Sequence, residues 1–256
     1  LGELLSATPL SPQQRYDASI AAIGQQHYNA ILRRWDWMAA EAVLNGKVTL
    51  MGEAYPETIV DYGRDAAHTV TLGSGARWGD SGVKPLANLD SWISRVVQAK
   101  FSGPVTKVIM GPAAWGVFSL DPDVKELLKT DLRQTSGTSL NLGLGDGTQV
   151  QYKGTLGQNL EVWVYSDYYE IAGGTAVPFM DTRDVLLIGP NVMGVQCFGA
   201  ILDKGANFQP LPIFPKMWDQ EDPSATFLLT QSAPLPVVVN PNNTLRARVL
   251  VPHLRE

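Results

Sequence analysis

The sequence predicts an α+β protein, and three observations predict it: one long amphipathic helical pattern near the start, short β-like runs that begin abruptly after it, and a helix, strand, helix succession in the middle of the chain. At 256 residues, with 45% hydrophobic and 18% charged composition, the chain can build one large domain or two smaller ones around real cores.

The long helix is expected from Ser11 to Asn45. Tyr16, Ile20, Ile23, His27, Ile31, Trp35, Met38 and Ala42 recur every three or four residues and so share one face. Ser11, Pro12 at the first helical position and Gln14 three residues on compose a capping box, and Gly46 sits where a left-handed stop is wanted. At 1.5 Å per residue such a rod spans roughly 50 Å. Much of it must therefore lie against a sheet or a neighbouring molecule.

After Gly46 the period changes. Lys47 to Met51, Thr58 to Tyr62 and Thr69 to Leu72 read as strands, separated by Pro56, Gly63 and the glycines between Gly73 and Gly82. A second helical block follows: Leu89 to Lys100, with Trp92, Val96 and Ala99 on one face, then a strand Thr106 to Met110, then helices Pro112 to Leu120 and Asp121 to Arg133. Asp121 and Pro122 are a good N-cap and first position. This order implies an α/β layer.

Gln134 to Gly147 is polar and glycine-rich and reads as a loop. Beyond it come strands Gln149 to Lys153 and Glu161 to Ser166, a hairpin from Tyr168 to Met180 turning at Gly173 and Gly174, and a strand Asp184 to Ile188. The last fifty residues alternate strands with proline breaks.

Composition excludes several function classes. A net charge of -5 supplies no basic field to hold a phosphate backbone, which argues against tight general DNA binding. The single cysteine, Cys197, excludes an intrachain disulfide and a multi-thiolate metal site, and its apolar run Val195 to Phe198 predicts a small buried hydrophobe. No stretch approaches the roughly 20 apolar residues needed to cross a bilayer.

Motifs for catalysis fail on their context. Ala66-Ala67-His68 and Gly79-Asp80-Ser81-Gly82 look like fragments of a serine protease, but the histidine and serine lie 13 residues apart in a strand and the next loop, not on separate barrels with an aspartate between them. Gly143-Leu144-Gly145-Asp146-Gly147 lacks the strand before and helix after that a dinucleotide cradle needs. The three histidines, His27, His68 and His253, have no metal-ligand spacing, and His27 reads as a satisfied core residue. Carboxylate pairs, Asp36 with Glu41 or Asp219 with Asp222, and seven tryptophans leave open a glycoside hydrolase, which needs a cleft with two carboxyls about 5 to 10 Å apart. A carbohydrate-binding module or tail protein would instead expose its tryptophans in a row. Trp35, Trp92, Trp115 and Trp163 lie inside periodic apolar segments, which favours packing.

A resemblance runs along most of the chain. Val43 to Tyr55 (VLNGKVTLMGEAY), Val60 to Arg64 (VDYGR), His68 to Leu72 (HTVTL) with Trp78, Val108 to Phe118 (VIMGPAAWGVF), Tyr152 to Gly154 (YKG), Val162 to Ser166 (VWVYS), Met217-Trp218 before Asp222-Pro223, and Thr230 to Leu235 (TQSAPL) resemble, in order, the major capsid protein E family of lambda-like phages. No one motif is specific; their collinearity is.

The resemblance implies the tailed-phage major capsid protein fold of Hong Kong phage type, with a long spine helix in a peripheral domain and an axial α/β domain. The expected division is 1–83 peripheral with spine helix 11–45, 84–200 axial, 201–232 peripheral return strands and 233–256 axial C-terminal strands. It also implies that most of an N-terminal arm and extended loop is missing ahead of Leu1. The implied role is structural, without catalysis, cofactor, metal or membrane: the chain would assemble with itself into pentamers and hexamers enclosing the DNA genome, in the virion capsid after assembly in the host cytoplasm. Scaffolding, portal and decoration proteins are the other implied partners. Candidate subunit-interface residues are Arg33, Arg34, Asp36 and Glu41 on the spine helix, and Ser136, Leu142, Gly145 and Asp146 in a loop expected near the ring centre.

Overall fold

A computed structural model of the chain describes residues 11–52, 55–131, 139–140, 148–157, 159–171 and 174–251. Four α-helices are described: α1 (Pro12–Asn45), α2 (Pro85–Gln98), α3 (Pro112–Leu120) and α4 (Pro122–Asp131). Among the strands are β1 (Lys47–Gly52), β2 (Tyr55–Asp61), β3 (Thr69–Thr71), β4 (Lys107–Met110), β5 (Ser139–Leu140), β6 (Val150–Leu156), β7 (Leu160–Tyr165) and β8 (Tyr168–Ile171). They continue with β9 (Thr175–Pro178), β10 (Asp184–Ile188), β11 (Gly194–Phe198), β12 (Phe214–Gln220), β13 (Ala225–Gln231), β14 (Pro234–Val238) and β15 (Thr244–Arg248).

The chain forms two compact units, Leu1–Met38 with Gln196–Pro236 and Ala39–Val195 with Val237–Glu256. The expected boundary at 83/84 falls inside the larger unit, because β3 joins the same sheet as β4, β10 and β15 and brings its neighbours with it.

The larger unit is built on a seven-stranded mixed sheet in the order β3-β15-β10-β4-β7-β6-β5. β3 lies parallel to β15 and β4 parallel to β7, and the other neighbours are antiparallel. Alternation along the strands sends Val108 and Met110, Val162 and Val164, Val185 and Leu187, and Leu245 and Ala247 to one face, all of them buried. Leu89, Trp92 and Val96 of α2 and Ala114, Trp115 and Phe118 of α3 complete that core, each helix contributing residues at helical spacing. Trp78 stacks on Trp92 with ring centroids 6.1 Å apart and meets Phe118 at 5.6 Å. On the other face Ile109, Leu186 and Ile188 pack with Ala40, Val43 and Leu44 from the last turns of α1.

The capping signals are where the sequence puts them. Ser11 Oγ accepts from Gln14 N at 3.3 Å while Ser11 N donates to Gln14 Oε1 at 2.9 Å, a reciprocal box. Asp121 Oδ1 accepts from the amides of Asp123 and Val124 at 3.0 and 3.2 Å, starting α4.

In the smaller unit the first part of α1 lies on one face of the β12–β13 hairpin. The register pairs Asp219 with Thr226, Met217 with Leu228 and Pro215 with Thr230 on that face. Tyr16 Oη is 2.8 Å from Thr226 Oγ1, and His27 Nδ1 is 3.3 Å from Thr230 Oγ1. Farther on, Trp35 Nε1 donates to Ser232 Oγ at 3.2 Å, and its ring meets Phe198 at 5.2 Å. Coverage of the expected apolar stripe is uneven: Tyr16 and Ile23 remain exposed, while Met38 and Ala42 are fully buried.

Two expectations are corrected. Cys197 is exposed, because β11 pairs only with β14 in a two-stranded ribbon and among the described residues no second layer covers it. Ser139 and Leu140, read as part of a loop, form β5 against β6. A glycine makes that pairing possible: a Cβ on Gly154, whose φ is +129°, would lie 1.6 Å from Ser139 O.

Candidate functional site

The spine-helix candidates divide. Arg33, Arg34 and Asp36 are exposed, with the Arg34 guanidinium 4.0 Å from the centre of the Trp37 ring. Glu41 is half-buried and accepts from Asn45 Nδ2 at 2.5 Å, one turn farther along the helix. Ser136, Leu142, Gly145 and Asp146 lie outside the described residues.

Several residues that composition did not single out prove to be committed to structure. The end of α1 is held by Arg64, which donates to Val43 O at 2.8 Å and Leu44 O at 2.7 Å, and to Thr69 Oγ1 and Thr244 Oγ1 at 2.9 and 3.3 Å. Cations are favoured at a helix C-terminus, where carbonyls lack intrahelical partners. Burial, and then the charge of Arg246, push the Arg64 guanidinium down to about 10, against a raising effect from Asp61; it stays charged at neutral pH. Beside it, buried Asp184 accepts from Arg246 Nε at 2.7 Å and Arg248 Nε at 2.9 Å, and Asp181 pairs with Arg183 and Arg248.

The residues suggestive of catalysis are likewise occupied. His68 is buried and its Nδ1 donates to Thr244 O at 2.9 Å, since a carbonyl can only accept. Asp219 accepts from Thr226 Oγ1 at 2.7 Å. A shallow groove in the larger unit holds three carboxylates, but Asp80 accepts from Arg77 N at 3.0 Å, Asp121 caps α4, and Asp123 pairs with Lys84 at 3.0 Å. Trp92 and Trp115 are buried; Trp35 and Trp163 are half-buried, with their Nε1 groups donating to Ser232 and Glu161. The geometry thus commits these groups to holding the fold.

Apolar surface is also left available. The β12–β13 face opposite α1 carries Phe214, Lys216 and Trp218 across from Leu229 and Phe227. Trp218 and Phe227 stack 5.3 Å apart, yet each keeps over two fifths of its surface exposed, at 43% and 41%. An aromatic pair left half in water is what a contact surface offers.

The family profile described as "Phage major capsid protein E" matches residues 3–249. Similar proteins include the major capsid protein of Escherichia phage N15, 30% identical over 86% of this chain and 64% of its own length, and that of Escherichia phage lambda, 30% identical over 83% and 62%. The crystal structure of a prophage protein of E. coli CFT073, assigned as its capsid protein, superposes with a TM-score of 0.75 at 23% identity, covering 95% of this chain and 72% of that one. The α+β tailed-phage capsid fold is therefore the fold of this chain. The chain belongs to the phage major capsid protein E family. It spans 64% and 62% of the length of the N15 and lambda proteins.

Membership turns the collinear motifs into physical parts. VDYGR ends on the arginine that caps α1, and the Asp61 side chain accepts from Gly63 N at 2.8 Å to shape the turn before it. In VIMGPAAW, Gly111 lets β4 turn into α3 against backbone: a Cβ there would meet Thr182 O at 2.4 Å. YKG ends on the bulge glycine that admits β5, and TQSAPL carries Thr230 and Ser232, both bonded to α1.

Proposed function

We propose that this chain is the shell-building part of a phage or prophage head subunit, assembling into pentamers and hexamers that enclose the DNA genome. The observation that carries the reading, beside the family, is the half-exposed Trp218–Phe227 face of the β12–β13 hairpin. A shell works through repeated modest contacts, so exposed apolar surface is its functional equipment.

In this reading the smaller unit is the peripheral domain and the larger the axial domain. Arg33, Arg34 and Asp36 offer charge to a neighbouring subunit. The net charge of -5 suits a container that holds DNA without gripping it. Scaffolding, portal and decoration proteins are its further partners, and the virion capsid its destination after assembly in the host cytoplasm. No described helix is long and apolar enough to cross a membrane.

Electron microscopy of the complete gene product carrying these residues, expressed alone, tests the proposal. Shells or tubes are expected. Monomers or small closed dimers under every condition would sink it.

A further inference from the structure

Phe101 stands 74% exposed on a backbone with φ +60°. Both features are unfavourable: the left-handed region strains a bulky residue, and a phenyl ring in water forfeits burial. The turn is nevertheless firmly held. Ser102 N donates to Ala99 O at 3.2 Å, Ser102 Oγ to Asn242 O at 3.2 Å, and Gly103 N to Oδ1 of fully buried Asn243 at 3.2 Å. Strain that the surroundings over-determine marks a side chain being presented. Lys100 Nζ lies 4.9 Å from the centre of the Phe101 ring and enters no ion pair among the described residues. The turn therefore presents an aromatic ring and a cation side by side.

The same unit carries a surface of opposite character. The groove already described is lined by apolar Val83, Val117 and Leu120 and by the carboxylates of Asp80, Asp121 and Asp123, with Lys84 the one cation among the described residues lining it. Leu120 is 68% exposed. Three aspartates against one lysine leave the groove negative around an apolar floor.

We infer that the Lys100–Phe101 turn of one copy seats in this groove of a second copy, the ring against Val117 and Leu120 and the ammonium among the aspartates. Charge and apolar character complement each other on two different patches of one chain, which points to another copy as the occupant. Such a heterologous contact propagates from copy to copy and closes into a ring when the rotation allows. The inference rests on the reading of the chain as a shell subunit.

The test uses the complete gene product in a Cys197→Ser background, since Cys197 is exposed. Phe101→Cys and Leu120→Cys on one chain, oxidised in assembled particles, should give a ladder of covalent multimers, whereas each single-cysteine variant stops at dimers. Particles that form without a ladder overturn the contact and leave the shell reading standing; failure of the unmodified product to form particles overturns both. Phe101→Gly separates presentation from folding, because glycine accepts this φ without strain. Its Tm should hold or rise while the assembled fraction falls at least tenfold. A lower Tm, or undiminished assembly, overturns the inference.

Discussion

Arg64 donates to the carbonyl of Leu44 at 2.7 Å, fastening the end of the longest helix to the turn that follows the first hairpin. Gly46 is shaped to allow it: its φ is +67°, and a Cβ there would lie 2.8 Å from the Cβ of Arg64. Arg64→Ala removes charge-assisted bonds to two carbonyls at once and should cost about 3 kcal/mol in urea unfolding. Arg64→Lys should recover less than half, since an ammonium cannot reproduce the planar fork. An Ala variant within about 0.5 kcal/mol of the parent would remove the capping role.

The buried carboxylate of Asp184 holds two arginines, so Asp184→Ala should cost about 3 kcal/mol by leaving Arg246 without its carboxylate, while Arg248 keeps Asp181. Its neighbour Asp181 is open to a pH test. Burial acts to raise its pKa, but hydrogen bonds from the Arg183 side chain and backbone, with the charges of Arg248 and Arg183, hold it below the ordinary carboxylate value of 3.8. A depressed carboxylate contributes stability that is present above the unfolded pKa and is lost as pH falls through the folded one. Asp181→Asn should therefore lower Tm at pH 7, and the gap should close below about pH 4. A gap that persists at pH 2 would contradict this.

His68 gives a second, separable pH dependence. Burial, outweighing the hydrogen bond to Thr244 O and the charge of Asp65, lowers its pKa below 6.5. The folded chain keeps the ring neutral while the unfolded chain protonates it, so stability present above the unfolded value is lost as pH falls from 6.5 toward the folded value. His68→Gln keeps a donor for Thr244 and should flatten the Tm profile in that window. An unchanged slope would assign the loss to other groups.

Gly154 combines a φ of +129° with a Cβ position 1.6 Å from Ser139 O. Gly154→Ala must move backbone, and should cost about 3 kcal/mol or more while exposing the amides of β5 and β6 to hydrogen exchange. Parent-like protection of Ser139 and Thr155 would show that β5 does not depend on the bulge.

Much of the fold was legible from local signals. The capping box at Ser11, the N-cap at Asp121 and the bounds of Pro112–Leu120 and Asp184–Ile188 follow from chemistry within a few residues of each position. The candidate contact residues were less legible. Arg33, Arg34 and Asp36 are exposed, Glu41 is half-buried against Asn45, and no periodicity or spacing in the sequence marks the exposure of Phe101. Tertiary packing sets its turn: at Gly103 a Cβ would come within 2.3 Å of Asn191 Nδ2.

Cys197 draws the boundary between the two kinds of information. Sequence by itself determined the α+β class, the long helix, most of its strands and, through collinear motifs, the family, because each depends on periodicity or spacing along the chain. Tertiary structure alone decided that Cys197 is exposed, that residues 39–83 join the larger unit, and that Arg64, Asp184 and His68 are spent on holding it together. Those outcomes depend on which strand finds which neighbour and what covers each face, and an apolar run such as Val195 to Phe198 reads the same whether a second layer lies over it or not.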